Sequence, residues 1–336
     1  MLCNCFGVLP LATPYQHPSR SLSVIPCPPD KRREALLHLA AAHEPALQPM
    51  LSTALKGMTD ASDEQWQGLL VSYQNAQLNG AIWVQRLPGN MARLWLPRVL
   101  ASPSAEEKPL HMLLDAAHQW VKTHPIRLCH VELAPQAAET EALVLEHGMQ
   151  RLVHLDHLVG RVDLISQSDQ RLPLNTGAPL SLQPLSGLSS AEQLDLLAKV
   201  GRHSLDSPAL RDILSVEELL AGFYHQDPQA PQHWYAVSYQ QAVVGVLLLA
   251  PRPALGRWEL LLMGLTPEWR GQGLGRALLN KAMSVAQQSG VAEIMLAVDE
   301  RNLPAKRIYQ QAGFKSFAQQ RLFAWKSEGE RRESTK

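Results

Sequence analysis

The sequence predicts an α/β (α+β) protein made of two tandem domains, each a mixed, mostly antiparallel twisted sheet flanked by helices. Three observations carry this. Runs with strand-like alternation interleave with runs of helical spacing. The same order of runs occurs twice at a fixed offset. A glycine-rich turn in the second copy joins a strand to an amphipathic helix, the signature of a parallel crossover.

In the first half, Ser21 to Ile25 reads as a strand and Asp30 to Leu39 as the helix after it. Ala81 to Arg86 and Ala92 to Val99 are strand-like. Leu110, Leu113, Leu114, Ala117 and Val121 form one helical stripe. A strand from Leu128 to Leu133 and a helix running into Glu146-His147-Gly148-Met149 follow. His154 and His157 are metal-ligand types at strand spacing, so they point to opposite faces and make no metal site.

In the second half, a strand from Leu180 to Leu185 leads into a helix whose start is marked by Ser189 and Ser190 ahead of Glu192. More helix runs through Val216 to Tyr224. Strands follow at Trp234 to Tyr239, Val243 to Ala250 and Trp258 to Leu265. Leu274, Leu278, Ala282 and Val285 line one helical face, stopped by Gly290. Ile294 to Val298 is a strand, Leu303 to Ala312 a short helix, and Phe314 to Trp325 supplies two last strands. Setting Gly148 on Gly313 gives an offset of 165 positions, which also places Leu110 on Gly275 and Leu133 on Val298. The expected division is a loose leader over 1–19, a first domain over 20–163 and a polar linker over 164–179. A second domain over 180–326 and a charged tail over 327–336 complete it.

Composition narrows the function. Lys plus Arg and Asp plus Glu each number 31, so no net field favours nucleic acid or an anionic membrane as partner. No apolar run reaches the roughly 18 residues of a membrane span; the longest, Ala242 to Ala250, reads as a buried strand. Phe6 to Ala12 is apolar but lacks a basic flank and is interrupted by Pro10, so it fits a secretory signal poorly. Cys3, Cys5, Cys27 and Cys129 make no disulfide framework and read as free thiols of a cytoplasmic protein.

The chemistry concentrates at Arg270-Gly271-Gln272-Gly273-Leu274-Gly275. A helix start offers unpaired N–H groups and a partial positive charge, and glycines let backbone approach an anion. Arg270 adds a charge at the mouth. No Gly-Lys-Ser/Thr is present, against a Walker loop, and the turn follows the fourth strand, against a Rossmann fingerprint.

The segment from Leu265 to Gly275 resembles the coenzyme A signature of the GNAT superfamily of N-acetyltransferases, and Leu296 to Phe314 resembles its second half. The resemblance covers Leu180 to Lys326 and implies acetyl-CoA as co-substrate, with the pantetheine arm between two splayed strands. It implies cofactor contacts at Met263, Gly264, Leu265, Arg270, Gly271, Gln272, Gly273, Leu274, Gly275, Arg276, Asn302 and Ala305. It implies Tyr309 as the acid toward the departing sulfur and Glu259 as the base, with a water chain as the other option. The resemblance further implies a primary amine of a small molecule or peptide as acceptor. The tandem build also resembles that of mycothiol synthases, an analogy of architecture that admits an amino-sugar acceptor beside polyamine, antibiotic and N-terminal amines. A coenzyme A-binding sensor without turnover is the alternative.

The first copy departs from the pattern. The turn falls on Ala105-Glu106-Glu107-Lys108-Pro109-Leu110, without glycine and with two carboxylates that would repel a diphosphate. Tyr309 falls on Val144, which has no proton to give.

Overall fold

The computed structural model describes residues 22–42, 51–52, 55, 62–74, 76–97, 107–164, 179–226 and 230–327. The expected leader, most of the linker, Ala105, Glu106 and the tail beyond Ser327 lie outside these residues.

The first half contains β1 (Leu22–Pro26), α1 (Arg32–Ala42), β2 (Leu69–Gln74), β3 (Gln77–Leu87) and β4 (Met91–Trp95). It continues through α2 (Glu107–Thr123), β5 (Leu128–Leu133), α3 (Ala138–Glu146) and β6 (Gln150–Arg161). The second half opens with β7 (Ser181–Pro184), α4 (Ser190–Gly201), α5 (Pro208–Ile213) and α6 (Val216–Gln226). Then come β8 (Trp234–Tyr239), β9 (Ala242–Arg252), β10 (Arg257–Leu265) and α7 (Leu274–Gln288), followed by β11 (Glu293–Asp299), α8 (Leu303–Gln311) and β12 (Lys315–Lys326). The offset of 165 carries α3 onto α8 and β6 onto β12 residue for residue.

The two halves share one twelve-stranded sheet, in the order β1-β2-β3-β4-β5-β12-β6-β11-β10-β9-β8-β7. Each half contains one parallel pair, β4 with β5 and β10 with β11, bridged by α2 and α7 respectively. The last strands are exchanged. β12 inserts beside β5, with Phe323 opposite Val131, and β6 lies against β11, with Leu158 opposite Leu296. Each half therefore completes the other's sheet.

Phe314 to Trp325 was expected to give two strands and gives one. The segment Lys315 to Lys326 contains no Gly, Pro, Asn or Asp to turn the chain, and it bends instead at two register shifts. β2 escapes the period-2 reading because Leu69, Leu70, Val71 and Ser72 are all buried, leaving no polar alternation.

Two layers of helix cover the second half. On one face of the sheet, α7 packs Leu274, Leu278, Leu279, Ala282, Met283 and Ala286 against Leu247, Leu249, Trp258 and Leu260. On the other, α4 packs Leu196, Leu197 and Val200 against Trp234, Val246 and Leu248. The start of α4 is fixed by a capping box in which Ser189 and Glu192 bond each other's main chain.

The exchange gives a testable contact. A Cβ at Gly160, on β6, would lie 2.6 Å from the ring of Phe314, which follows α8. Gly160→Val should therefore destabilise the protein by about 1–3 kcal/mol through overpacking. A thermal melt unchanged within a degree would show that the strand and ring are not packed this closely.

Candidate functional site

The site begins with a break in strand pairing. β10 pairs with β11 only at Trp258↔Ile294, Glu259↔Met295 and Leu260↔Leu296. A bulge falls between Leu260 and Leu262, opposite the adjacent Leu249 and Leu248, and an extra residue there bends β10 away. β10 then follows β9 to Leu265, while β11 follows β6 to Asp299. A slit opens between the two strand ends. Thr266 donates its N–H to the Val244 carbonyl at 2.8 Å, across to the β9 side. By alternation Gly264 also faces β9, and the main-chain groups of Met263 and Leu265 face the slit.

This separates three residues that the sequence grouped together. Met263 and Leu265 have the orientation needed to pair with an extended ligand. Gly264 does not, and it has a packing reason of its own: a Cβ there would lie 2.3 Å from Val200 Cγ1, so the end of α4 rests on β10.

The glycine turn sits at the mouth of the slit. Gly271 and Gly273 have φ of 75° and 80°, a left-handed region that side chains with a Cβ rarely enter. A Cβ at either would meet nothing within 4 Å among the described residues, so none of these fills the turn. Gly273 caps α7 without a side-chain hydrogen bond. No main-chain N–H from Gly271 through Gly275 has a partner among the described residues beyond the ladder of α7 itself. A cluster of unpaired amides at a helix start, with no side chain over them, suits a diphosphate. Gly275 is the closer-packed glycine, since its Cβ would lie 3.1 Å from Ile308 Cδ1 on α8.

Arg270 acts differently from the expectation. Its main-chain N–H donates to Pro267 O at 3.3 Å. Its Nε donates to Leu265 O at 3.0 Å and its Nη2 to Val200 O at 2.7 Å. Burial and the Arg211 guanidinium pull its pKa below the ordinary guanidinium value. Arg270 therefore ties the end of β10 to the end of α4, where two carbonyls would otherwise go unpaired. Gln272 likewise donates its side-chain amide to Glu268 O at 2.9 Å. The free amides begin at Gly271, and Arg276 lies on the first turn of α7.

Tyr309 is 7% exposed on α8, with its ring tilted against Phe314 at 5.7 Å. Burial, and then the Asp206 carboxylate, push its phenol well above the ordinary tyrosine range, so it keeps its proton at any neutral pH. Asn302 caps α8 by accepting from the Ala305 N–H at 3.3 Å, and Ala305 packs on the core. Both residues shape the helix that carries Tyr309. Glu259 lies at the closed end of the slit, where β10 and β11 still pair, and it accepts from Arg252 Nε at 2.6 Å. The structure thus sets Met263, Leu265 and the glycine turn along one opening, packs the helix that carries Tyr309 against Gly275 through Ile308, and leaves Glu259 in an ion pair at the closed end.

Two features were not read from the sequence. Asp206, in the connection from α4 to α5, lies close enough to Tyr309 and Asp299 to act on both electrostatically; Ser204-Leu205-Asp206-Ser207-Pro208 reads simply as a turn. The first half also holds α6 in place. Glu218 accepts from Ser215 N–H at 2.7 Å, from Asn90 Nδ2 at 2.8 Å and from Arg127 Nη1 at 3.3 Å. These three bonds commit the Glu218 carboxylate to the joint between the halves.

Splayed parallel strands, a bare glycine turn and a doubled, mostly antiparallel sheet define a tandem GNAT-type fold. Residues 203–314 match the acetyltransferase (GNAT) family. It is similar to a mycothiol acetyltransferase of Paenarthrobacter aurescens (strain TC1), 31% identical over 148 residues, 44% of this chain and 39% of that protein. A mycothiol acetyltransferase of Kocuria rhizophila is 44% identical over 62 residues, 18% of this chain and 20% of that protein. The match thus spans well under half of each relative. In fold, the chain is similar to a GCN5-related N-acetyltransferase from Sphaerobacter thermophilus, with TM-score 0.58 and 17% identity. That likeness covers 92% of this chain and 96% of the other. A GCN5-related glucosamine N-acetyltransferase region of a fungal β-N-acetylglucosaminidase gives TM-score 0.61 at 14% identity, covering 92% of this chain and 38% of that one. No helix among the described residues is long and apolar enough to cross a membrane.

Proposed function

We propose that the chain is an N-acetyltransferase that moves an acetyl group from acetyl-CoA to a primary amine of a small molecule or peptide. The observation that carries this reading is the unfilled glycine turn at the mouth of the slit, with Tyr309 on the helix that follows β11. When bound, acetyl-CoA supplies the activated thioester. The amides from Gly271 to Gly275 hold its diphosphate, and those of Met263 and Leu265 pair with its extended arm. One amide facing the slit also polarises the thioester carbonyl. Holding amine and thioester together supplies much of the acceleration. Tyr309 remains protonated and aims a hydrogen bond at the departing sulfur.

We assign this site to a domain spanning 180–326, with 20–163 as a degenerate copy. Val144, buried where Tyr309 stands in the repeat, supports that assignment. The exchanged strands and the Glu218 joint support a role for the first copy in holding the acceptor side of the site. A cytoplasmic setting is in keeping with the buried free thiols of Cys27 and Cys129. Purified protein should release free thiol from acetyl-CoA when given a panel of primary amines, followed with a thiol reagent. Tight acetyl-CoA binding without release on any amine would favour the sensor reading.

A further inference from the structure

The connection between α4 and α5 crosses the mouth of the slit, and three ties hold it there. Val200, in the last turn of α4, sits against Gly264 of β10, and its carbonyl is bonded by Arg270. Arg211, on α5, donates to the carbonyls of Gly201 and Ser204 from the far side. Ser204 Oγ accepts from the Asp206 N–H at 3.1 Å. His203 and Ser207, neither of them glycine, take left-handed φ of 52° and 42°. The loop between them therefore turns in an unfavourable conformation that the surrounding bonds maintain. It carries Asp206 across to the other lip of the slit, beside Asp299 at the end of β11 and Tyr309 on α8.

The charges around Asp206 come from three elements. Asp299, fully buried on β11, opposes it, although the Asp299 carboxylate is itself paired with Arg301 at 3.3 Å. Arg211 on α5 and the Asp299 main-chain amide favour its ionised form. Tyr309 faces it from α8. Burial is the largest influence and raises its pKa above the ordinary carboxyl value. Arg211 is spent on two carbonyls, and Glu259 is paired with Arg252 at the closed end of the slit. With Asp299 paired to Arg301, Asp206 is thus a carboxylate at the open end, on the side of the proposed acid.

We infer that Asp206 receives the cationic head of the acceptor amine and takes its first proton. The inference rests on the acetyl-transfer reading and narrows it to acceptors that arrive as ammonium ions. One proton passes from the ammonium to the Asp206 carboxylate and later to water. The nitrogen lone pair then forms the C–N bond as the C–S bond breaks. The nitrogen's second proton goes to the Tyr309 oxygen while the phenol's proton goes to sulfur. Amide, free thiol and one released proton result, which balances charge and atoms.

The test uses the full chain and the Asp206→Asn and Asp206→Glu variants. Thiol release is measured with benzylamine, putrescine and glucosamine, and calorimetry measures benzylamine against benzyl alcohol on the coenzyme A complex. Asp206→Asn should bind benzylamine at least tenfold more weakly than the wild type, with benzyl alcohol and coenzyme A affinities unchanged. Its kcat/KM should fall about a hundredfold, and Asp206→Glu should restore part of it. The inference is overturned if wild type and Asp206→Asn bind benzylamine alike, if wild type binds the amine no better than the alcohol, or if both turn over alike. Wild type that binds benzylamine through Asp206 yet releases no thiol on any amine would sink the transfer reading and the proton step with it, and leave only the ammonium site at Asp206.

Discussion

Replacing Gly271 and Gly273 together by valine should weaken coenzyme A binding by more than about a hundredfold while leaving the fold intact. Both glycines hold φ near 75–80°, and a β-branched residue there is a steric outlier costing about 1–2 kcal/mol each. The turn would shift to relieve that strain, and its amides would no longer converge. No packing among the described residues depends on this geometry, because a Cβ at either glycine touches none of their atoms within 4 Å. The effect on melting temperature should accordingly be a few degrees. Gly290 supplies the control. It closes the other end of α7 with the same φ of 80° and the same lack of neighbours. Gly290→Val should cost about 1–2 kcal/mol, as much as either glycine of the turn alone, and leave coenzyme A affinity at the wild-type value. Calorimetry on the three proteins decides it: equal affinities would mean that the turn does not hold the diphosphate.

That turn was legible in the sequence because its physics is local. Glycines at a strand-to-helix junction report an anion site without help from distant residues, and Leu274, Leu278 and Ala282 report the helix that follows. The doubling was legible for a similar reason, since α3 and β6 match α8 and β12 position by position. What stayed hidden depends on contacts far apart in the chain. Pairing of β6 with β11 brings Leu158 to Leu296, and no periodicity within either strand reveals whose edge it will meet. Arg270 looked like a charge for the ligand, yet its partners are the carbonyls of Leu265 and of Val200, 70 positions away. The resemblance implied Glu259 as the base, but Arg252 pairs with it across the β9–β10 hairpin. Asp206 gave no signal, because its environment is assembled from β11, α5 and α8. In each case the backbone pattern fixed an element and tertiary structure chose the side chain's partner.

Tyr309→Phe isolates the one hydroxyl that α8 offers to the proposed acetyl transfer. The variant keeps the ring that packs against Phe314 and loses only the O–H, so stability should change by less than about 1 kcal/mol. Affinity for coenzyme A should hold, since the proposed diphosphate site is the glycine turn and not α8. The loss should fall on kcat, by roughly a hundredfold, the lower range for general acid catalysis. An acid near the sulfur helps without being indispensable, because a thiol with pKa about 8.5 is already a fair leaving group. The pH dependence sharpens the test. Burial raises the phenol's pKa, so the protonated form required of a donor persists as pH climbs, and loss begins only above the ordinary tyrosine value of about 10. The wild-type rate should therefore show no falling alkaline limb between about pH 7 and 10 that the phenylalanine variant lacks. A variant that retains full kcat would remove Tyr309 from the chemistry and leave the solvent to protonate the sulfur.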